Sequence, residues 1–141
     1  MVEIRELRDD ELGWADERYR EIKFSSSPPG TRAFVAELGG ERVGLGRLIE
    51  HAPAVIELGG IWTHAEARNQ GVARAMVTEL LARAPTGPLW CIPFAHLAGF
   101  YESFDFEAAR PPWPPAVAAK VAGLVAKHLS VVVLVRGAAR R

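Results

Sequence analysis

A short glycine-containing turn joins a strand-like segment to a helix-like segment near the middle of the chain. The turn has the sequence RNQGVA over residues 68–73, after the apolar run 55–63 and at the start of the helix-like run 72–84. The first backbone N–H groups of a helix have no partner within it, and the helix dipole adds positive charge there. Because Gly71 and Ala73 are small, a large anion can approach this backbone closely. The turn therefore predicts a binding site for a pyrophosphate group.

Chain length and charge balance restrict the class of protein. The 141 residues are 49% hydrophobic and 24% charged, which is ordinary for a globular protein. A chain of this length can bury a core of its own, so we expect a single domain over residues 1–141. Lysine and arginine total 17, as do aspartate and glutamate. This neutrality provides no global field that would attract nucleic acid or an anionic membrane.

The cysteine and histidine content argues against disulfide bonds and metal sites. Cys91 is the only cysteine, and the 4 histidines show no metal-ligand spacing. The start of the chain lacks the apolar stretch of a signal peptide, and no apolar run reaches the roughly 18–20 residues that span a bilayer. We therefore expect a cytoplasmic protein without a membrane or nucleic-acid partner.

The spacing of apolar residues predicts alternating strands and helices. Leu12, Ala15, Tyr19 and Ile22 recur at helical spacing, with a helix cap expected from the aspartates at positions 9 and 10. Glycine and proline mark a hairpin turn at residues 39–40, a loop at 25–30 and a stiff connector at 111–115. The order of elements predicts an α/β (α+β) fold with helices on both faces of a mixed sheet. Strand-like runs occupy residues 2–4, 32–38, 41–50, 54–63, 89–94, 106–109 and 131–135, and further helix-like runs occupy 72–84, 97–103 and 117–124.

Two motifs resemble those of the GCN5-related N-acetyltransferase (GNAT) superfamily. Arg68-x-x-Gly71-x-Ala73 matches every fixed position of the family's Arg/Gln-x-x-Gly-x-Gly/Ala signature, and residues 100–106 resemble its second hallmark, an aromatic-Tyr pair followed by Gly-Phe. The order of elements agrees from residue 2 to about residue 109. This chain departs from the family at Ala65, where a proline is usual, and at Asp105, where a glycine is usual. Residues 111–129 resemble an insertion before the last strand.

The resemblance implies a mostly antiparallel central sheet in which a splayed strand pair holds acetyl-CoA or another acyl-CoA. A bulge at residues 59–60 is the expected cause of the splaying. Metal is not required by this chemistry. The positions that the resemblance assigns to cofactor binding are Ile61, Trp62, Thr63, Arg68, Asn69, Gln70, Gly71, Val72, Ala73 and Arg74.

Tyr101 is the candidate general acid within the second motif. A phenol with a pKa of about 10 keeps its proton at neutral pH and can donate it to a departing thiolate. The alternative is that Tyr101 only packs the short helix, with its hydroxyl bonded to backbone or water.

Glu57 is the candidate general base, eleven residues before Arg68. Some histone-acetyltransferase members of the superfamily place a catalytic glutamate at this spacing. Burial would raise the pKa of the carboxyl towards a useful range. The alternatives are a solvated or salt-bridged glutamate on the strand, and a chain of water molecules that removes the proton.

These inferences predict an N-acetyltransferase that moves an acetyl (acyl) group from acetyl-CoA to a primary amine by direct attack in a ternary complex. A small-molecule acceptor is preferred over a protein amine, and the C-terminal strand allows a homodimer. The alternative is a non-catalytic acyl-CoA-binding regulatory domain. An acyl intermediate on Cys91 is disfavoured because a nucleophilic thiol needs a nearby base. His64 and His96 flank strand ends, where each could bind the acceptor or carry a proton.

Overall fold

The computed structural model describes residues 1–137, which contain seven strands and four α-helices. Short 3-10 helices precede α1, α2 and α3. None of the helices in this range combines the length and apolar character needed to cross a membrane. The strands are β1 (Val2–Glu6), β2 (Thr31–Leu38), β3 (Glu41–Ala52), β4 (Val55–Thr63), β5 (Leu89–Cys91), β6 (Glu107–Ala108) and β7 (Leu134–Arg136), and the helices are α1 (Leu12–Glu21), α2 (Val72–Arg83), α3 (Ala98–Glu102) and α4 (Pro115–Ala126).

The strands form one mixed sheet in the order β1-β2-β3-β4-β5-β7-β6. The pairs β1–β2, β2–β3, β5–β7 and β6–β7 are antiparallel, whereas β4 and β5 are parallel and pair at Ile56↔Leu89 and Glu57↔Trp90. The predicted mixed, mostly antiparallel sheet is therefore confirmed.

The chain divides into two compact units. The first comprises Met1–Ile49 and Gly60–Ala84, and the second comprises Glu50–Gly59 and the residues from Pro85 onward. Both β3 and β4 contribute residues to each unit. A single domain over residues 1–141 stays a prediction.

In the first unit, α1 and α2 pack on opposite faces of β3. Ala15 and Tyr19 of α1 form a buried cluster with Val35 and Leu45. On the other face, a Cβ added at Gly46 would lie 2.6 Å from Met76 Cγ, so α2 rests directly on the strand backbone. Because successive strand residues point to opposite faces, residues 45 and 46 direct the two helices to opposite sides of the sheet.

The first helix is shorter and its buried face narrower than the spacing predicts. Ala15 and Tyr19 are buried, but Leu12 and Ile22 are 41% and 38% exposed, so only part of the apolar face packs in the core. The two aspartates lie inside the 3-10 helix Asp9–Glu11 and do not cap α1. The helix ends at Glu21, so Ile22 falls outside the turn that faces the strand.

The later strands are also shorter than the apolar runs that predict them. β5 ends at Cys91, before Pro93, which has no N–H to donate to a ladder. The last strand begins at Leu134, and Val131 makes only an isolated antiparallel bridge with Phe94. An apolar run thus predicts a strand at the right place while exceeding the length of regular pairing.

Glu11 is a buried carboxylate that we expect to stabilise the fold in a pH-dependent way. Arg5 donates to its two oxygens at 2.7 and 2.8 Å, and the Arg8 backbone N–H donates at 2.9 Å. The Arg5 hydrogen bonds outweigh burial and lower the pKa of Glu11 to about 2. A lowered pKa stabilises the folded state above the ordinary carboxyl pKa, and this stabilisation is lost as the pH falls towards 2.

The substitution Glu11→Gln should therefore lower the free energy of unfolding at pH 7 by about 1–3 kcal/mol. The difference from the wild type should shrink as the pH falls from about 4.5 towards 2, because the wild-type carboxylate becomes protonated. Urea unfolding at pH 7 and pH 3 measures both effects, with the exposed Glu3→Gln as the control. A destabilisation that is equal at both pH values would contradict the assignment.

Candidate functional site

The glycine turn opens directly into the N-terminus of α2. Gly71 precedes the helix with φ of 77°, and Asn69 also has a positive φ of 66°. The first helical ladder bond runs from the Ala75 N–H to the Gly71 carbonyl at 3.0 Å. The backbone N–H groups of residues 72–74 therefore precede this ladder, as the sequence predicts.

The space in front of this helix end can accept a large anion. Gly71 is exposed, and a Cβ built on it would have no heavy atom within 4 Å. Arg68, Asn69 and Arg74 are also exposed, while the Gln70 amide donates to the Glu66 carbonyl at 3.3 Å and ties the turn together. An open approach, three N–H groups that precede the helical ladder and a positive helix end fit a pyrophosphate.

The end of β4 has an irregular backbone at the predicted glycines. Gly60 has φ of 62°, outside the extended region, and the three residues that follow it are half-buried. Within the described residues, the register of β4 with β5 covers only Ile56 and Glu57. Ile61 and Thr63 therefore lie on a part of β4 beyond that ladder.

An aromatic cleft of about 590 Å³ lies within the first unit. Trp62 packs edge-on against Trp14 and His64, with ring centres 6.0 Å apart in both pairs. The His64 Nδ1 accepts the Glu66 N–H at 3.1 Å, so this histidine caps a 3-10 turn. The sequence did not predict the cleft residues Trp14, Arg18 and Arg42. The Arg42 guanidinium stacks on the Trp14 ring at 4.3 Å, a contact that the spacing of these residues in the sequence does not indicate.

In the second unit, Tyr101 lies on α3 with its ring buried and its hydroxyl protonated. Its side chain packs edge-on against Phe100 and Phe106, with ring centres 5.0 and 6.1 Å away. Burial, together with the nearby Cys91 and Glu57, raises the pKa of the phenol above its usual value. The hydroxyl has no hydrogen-bond partner among residues 1–137. Packing against these aromatic side chains therefore fixes the position of the Tyr101 ring.

Asp105 occupies the position where the related motif has glycine. Its φ is 69°, and its N–H donates to the Glu102 carbonyl at 3.0 Å as the short helix ends. Aspartate is one of the few residues other than glycine that adopt the left-handed conformation readily. The departure from the motif therefore leaves the backbone after Tyr101 in the conformation that glycine would supply.

Glu57 is held in a buried ion pair. It is 2% exposed, Lys120 Nζ donates to both carboxylate oxygens at 2.7 Å, and His51 Nε2 lies 2.7 Å from Oε1. Burial favours a raised pKa, but the His51 hydrogen bond and the Lys120 charge and hydrogen bonds outweigh it and lower the pKa. The expectation of a raised pKa is therefore wrong. Both partners were missed, because Lys120 belongs to the segment interpreted as an insertion and His51 follows the strand-like run 41–50, whereas the structure places His51 within β3.

The surroundings of Cys91 and His96 are those of packed side chains. Cys91 is 2% exposed, and burial raises the pKa of its thiol well above the usual value. A thiol that resists ionisation is a poor nucleophile. The His96 ring stacks on Phe94 with centres 6.0 Å apart. Within residues 1–137, Cys91 and His96 do not contact each other as a nucleophile and its base would.

Comparisons with known proteins agree with this geometry. The family model described as "Acetyltransferase (GNAT) family" matches residues 1–106. Escherichia coli ElaA superposes with a TM-score of 0.70 at 16% identity, over 96% of this chain and 99% of that one. Rv2747 from Mycobacterium tuberculosis, solved in complex with CoA and NLQ, has a TM-score of 0.73 at 14% identity, over 95% and 98%. No match was found among curated proteins.

A larger protein shares the same fold in one of its parts. N-acetylglutamate synthase from Neisseria gonorrhoeae, complexed with coenzyme A and N-acetyl-glutamate, has a TM-score of 0.73 at 16% identity. The alignment covers 99% of this chain and 36% of that chain. At these identities the superpositions establish the fold.

Proposed function

Because the chain belongs to the acetyltransferase (GNAT) family, we propose that it transfers an acetyl group from acetyl-CoA to a primary amine. The observation that carries this proposal is the open N-terminus of α2 at Gly71, where residues 72–74 present three backbone N–H groups. The structures of related fold that contain coenzyme A or acetyl-CoA support the choice of donor. The acceptor is proposed to be a small molecule, as the N-acetyl-glutamate in one related structure suggests.

Binding of the donor uses two segments of the first unit. The pyrophosphate is held by the N–H groups of residues 72–74, flanked by Arg68, Asn69, Gln70 and Arg74. The backbone of residues 61–63 pairs with the pantetheine arm as an added strand would. Both contacts use main-chain groups, which bind a shared part of every acyl-CoA and do not select the acyl group.

The proposed reaction is direct attack of a neutral amine on the thioester carbonyl. The new C–N bond forms, the C–S bond breaks, and the thiolate leaves with the electron pair of the C–S bond. Tyr101 donates its hydroxyl proton to that sulfur, and the amine loses a proton. No acyl-enzyme intermediate is needed, which agrees with the buried, un-ionised state of Cys91.

Glu57 is the proposed acceptor of the amine proton, and its lowered pKa makes it a weak base. If it acts directly, Glu57→Gln should lower kcat by about 100-fold. If water carries the proton, the same variant should keep kcat within about threefold while losing stability through its unpaired Lys120. Steady-state kinetics together with urea unfolding distinguish the two, and Lys120→Met serves as the control that breaks the same pair from the other side.

The function is tested by incubating the full chain with acetyl-CoA and a panel of primary amines. Release of free CoA thiol and mass spectrometry of the acetylated product measure transfer. Calorimetry with CoA measures donor binding separately. Binding of CoA without transfer to any amine would instead identify a non-catalytic acyl-CoA-binding domain, and absence of CoA binding would refute both functions.

A further inference from the structure

Arg47, in the middle of β3, is a buried cation without a carboxylate partner. The charged residues buried in the described part of the chain are Glu11, Arg47 and Glu57. Glu11 is paired with Arg5 and Glu57 with Lys120. In contrast, no carboxylate among residues 1–137 lies within 4.0 Å of the Arg47 guanidinium. Arg47 is thus the exception among the buried charges.

The groups that contact the Arg47 guanidinium are neutral. Nη1 donates to the Ser25 carbonyl at 3.0 Å and to Ser27 Oγ at 3.2 Å. The guanidinium carbon lies 4.0 Å from the centre of the Tyr19 ring, and Nε is buried with no partner in the described residues. The carboxylate of Asp16 accepts the Ser27 N–H at 3.4 Å and makes no ion pair with Arg47. Arg47 therefore makes no ion pair within the described residues, and a link to a carboxylate runs only through Ser27 to Asp16.

An un-neutralised buried guanidinium favours an anionic ligand. A guanidinium stays protonated in proteins, and burial of a charge without an opposite charge is costly. Neutral hydrogen bonds and a cation–π contact recover part of that cost. Because Nη1 already donates to two oxygens and Nε is packed against Gly60, Nη2 is the nitrogen left to donate to a carboxylate oxygen.

Gly60 places this charge beside the strand that is proposed to hold the donor. A Cβ added at Gly60 would lie 2.5 Å from Arg47 Nε and 2.8 Å from the Tyr19 hydroxyl. That hydroxyl donates to the Gly60 carbonyl at 2.7 Å. Ile61 and Thr63, which follow on the same strand, are the residues proposed to pair with pantetheine. An anion on Arg47 would be held next to this part of β4.

We infer that Arg47 binds a carboxylate of the acceptor, so that the substrates are amino acids or other amines carrying a carboxylate. This inference rests on the proposed function and specifies its substrate class. The loop containing Ser25 and Ser27 contacts the same guanidinium, so it borders the bound carboxylate. A neutral amine, or a substrate whose carboxylate is converted to an amide, lacks the charge that Arg47 needs.

The first test compares matched acceptors in the wild-type protein. Initial rates of CoA release are measured with the twenty common L-amino acids and with their carboxamides. For the best acceptor, kcat/KM should fall by about 100-fold or more when the carboxylate becomes an amide. Equal use of acids and amides would overturn the inference and leave the proposed function intact. Transfer to no amine of the wider panel would overturn the proposed function.

The second test changes the arginine. Arg47→Met should raise KM for the carboxylate acceptor by about 100-fold, with kcat less affected and the rate with the amide nearly unchanged. Arg47→Lys keeps the positive charge, so its KM for the carboxylate acceptor should lie between those of the wild type and Arg47→Met. Arg32→Met is the control, because Arg32 lies on the neighbouring strand β2, outside the cleft, and its guanidinium also stacks on an aromatic ring. A purely structural role for Arg47 predicts equal losses with acid and amide, which would overturn the inference.

A binding measurement separates the carboxylate site from turnover. Saturation-transfer NMR with N-acetylglycine and N-acetylglycinamide, in the presence of CoA, reports binding without chemistry. The acid should bind to the wild type and to Arg32→Met, and binding should be lost in Arg47→Met. Equal signals from acid and amide, or an acid signal that persists in folded Arg47→Met, would overturn the inference. Circular dichroism confirms that each variant is folded.

Discussion

The Gly71→Asp variant is expected to lose measurable binding of CoA while remaining fully folded. Residue 71 precedes α2 with φ of 77°, a left-handed conformation that aspartate tolerates better than most residues. Its carboxylate would lie where the pyrophosphate is proposed to bind, and charge repulsion at a few ångströms should weaken binding by about 100-fold or more. Calorimetric titration with CoA measures the effect directly.

Gly71→Asn is the matched control for this substitution. Asparagine has the same size and the same tolerance of positive φ, but it carries no charge. It should keep much more of the affinity for CoA than aspartate does. The free energy of unfolding should show the reverse order, with Gly71→Asp more stable than Gly71→Asn. A negative charge at a helix N-terminus interacts favourably with the dipole. Equal CoA affinities in the two variants would contradict the placement of the pyrophosphate site at the N-terminus of α2.

Tyr101→Phe should lower kcat by about 10²–10⁴-fold, the usual contribution of a general acid. The affinity for CoA should be retained, because the hydroxyl is proposed to act on the departing sulfur and not on the bound donor. The phenol pKa is raised by burial, so the group keeps its proton throughout the neutral range. Steady-state rates with the best amine of the panel, from pH 6 to 9, measure the loss.

The stability of the same variant provides its control. The Tyr101 hydroxyl has no hydrogen-bond partner in the described residues, so its removal should change the free energy of unfolding by less than about 0.5 kcal/mol. The Tyr19 hydroxyl, in contrast, donates to the Gly60 carbonyl, and Tyr19→Phe should cost about 1 kcal/mol. Unchanged turnover in Tyr101→Phe would exclude this residue from the mechanism.

The sequence predicted the elements whose signal is local. The turn before α2 depends on glycine at a left-handed position, the β2–β3 turn depends on two adjacent glycines, and both lie where the spacing places them. The pattern around Tyr101 likewise predicted a short helix over residues 97–103, and α3 lies at Ala98–Glu102. Such features need only the conformational preferences of a few neighbouring residues.

The electrostatic state of the site depended on partners distant in the sequence. Glu57 is ion-paired with Lys120, 63 positions later, so the pKa of its carboxyl moves in the direction opposite to that expected from burial. Arg47 has serine oxygens and a tyrosine ring around it but no carboxylate. Spacing in the sequence cannot predict whether a buried charge is balanced, because the balance depends on which distant side chains the tertiary structure places within a few ångströms.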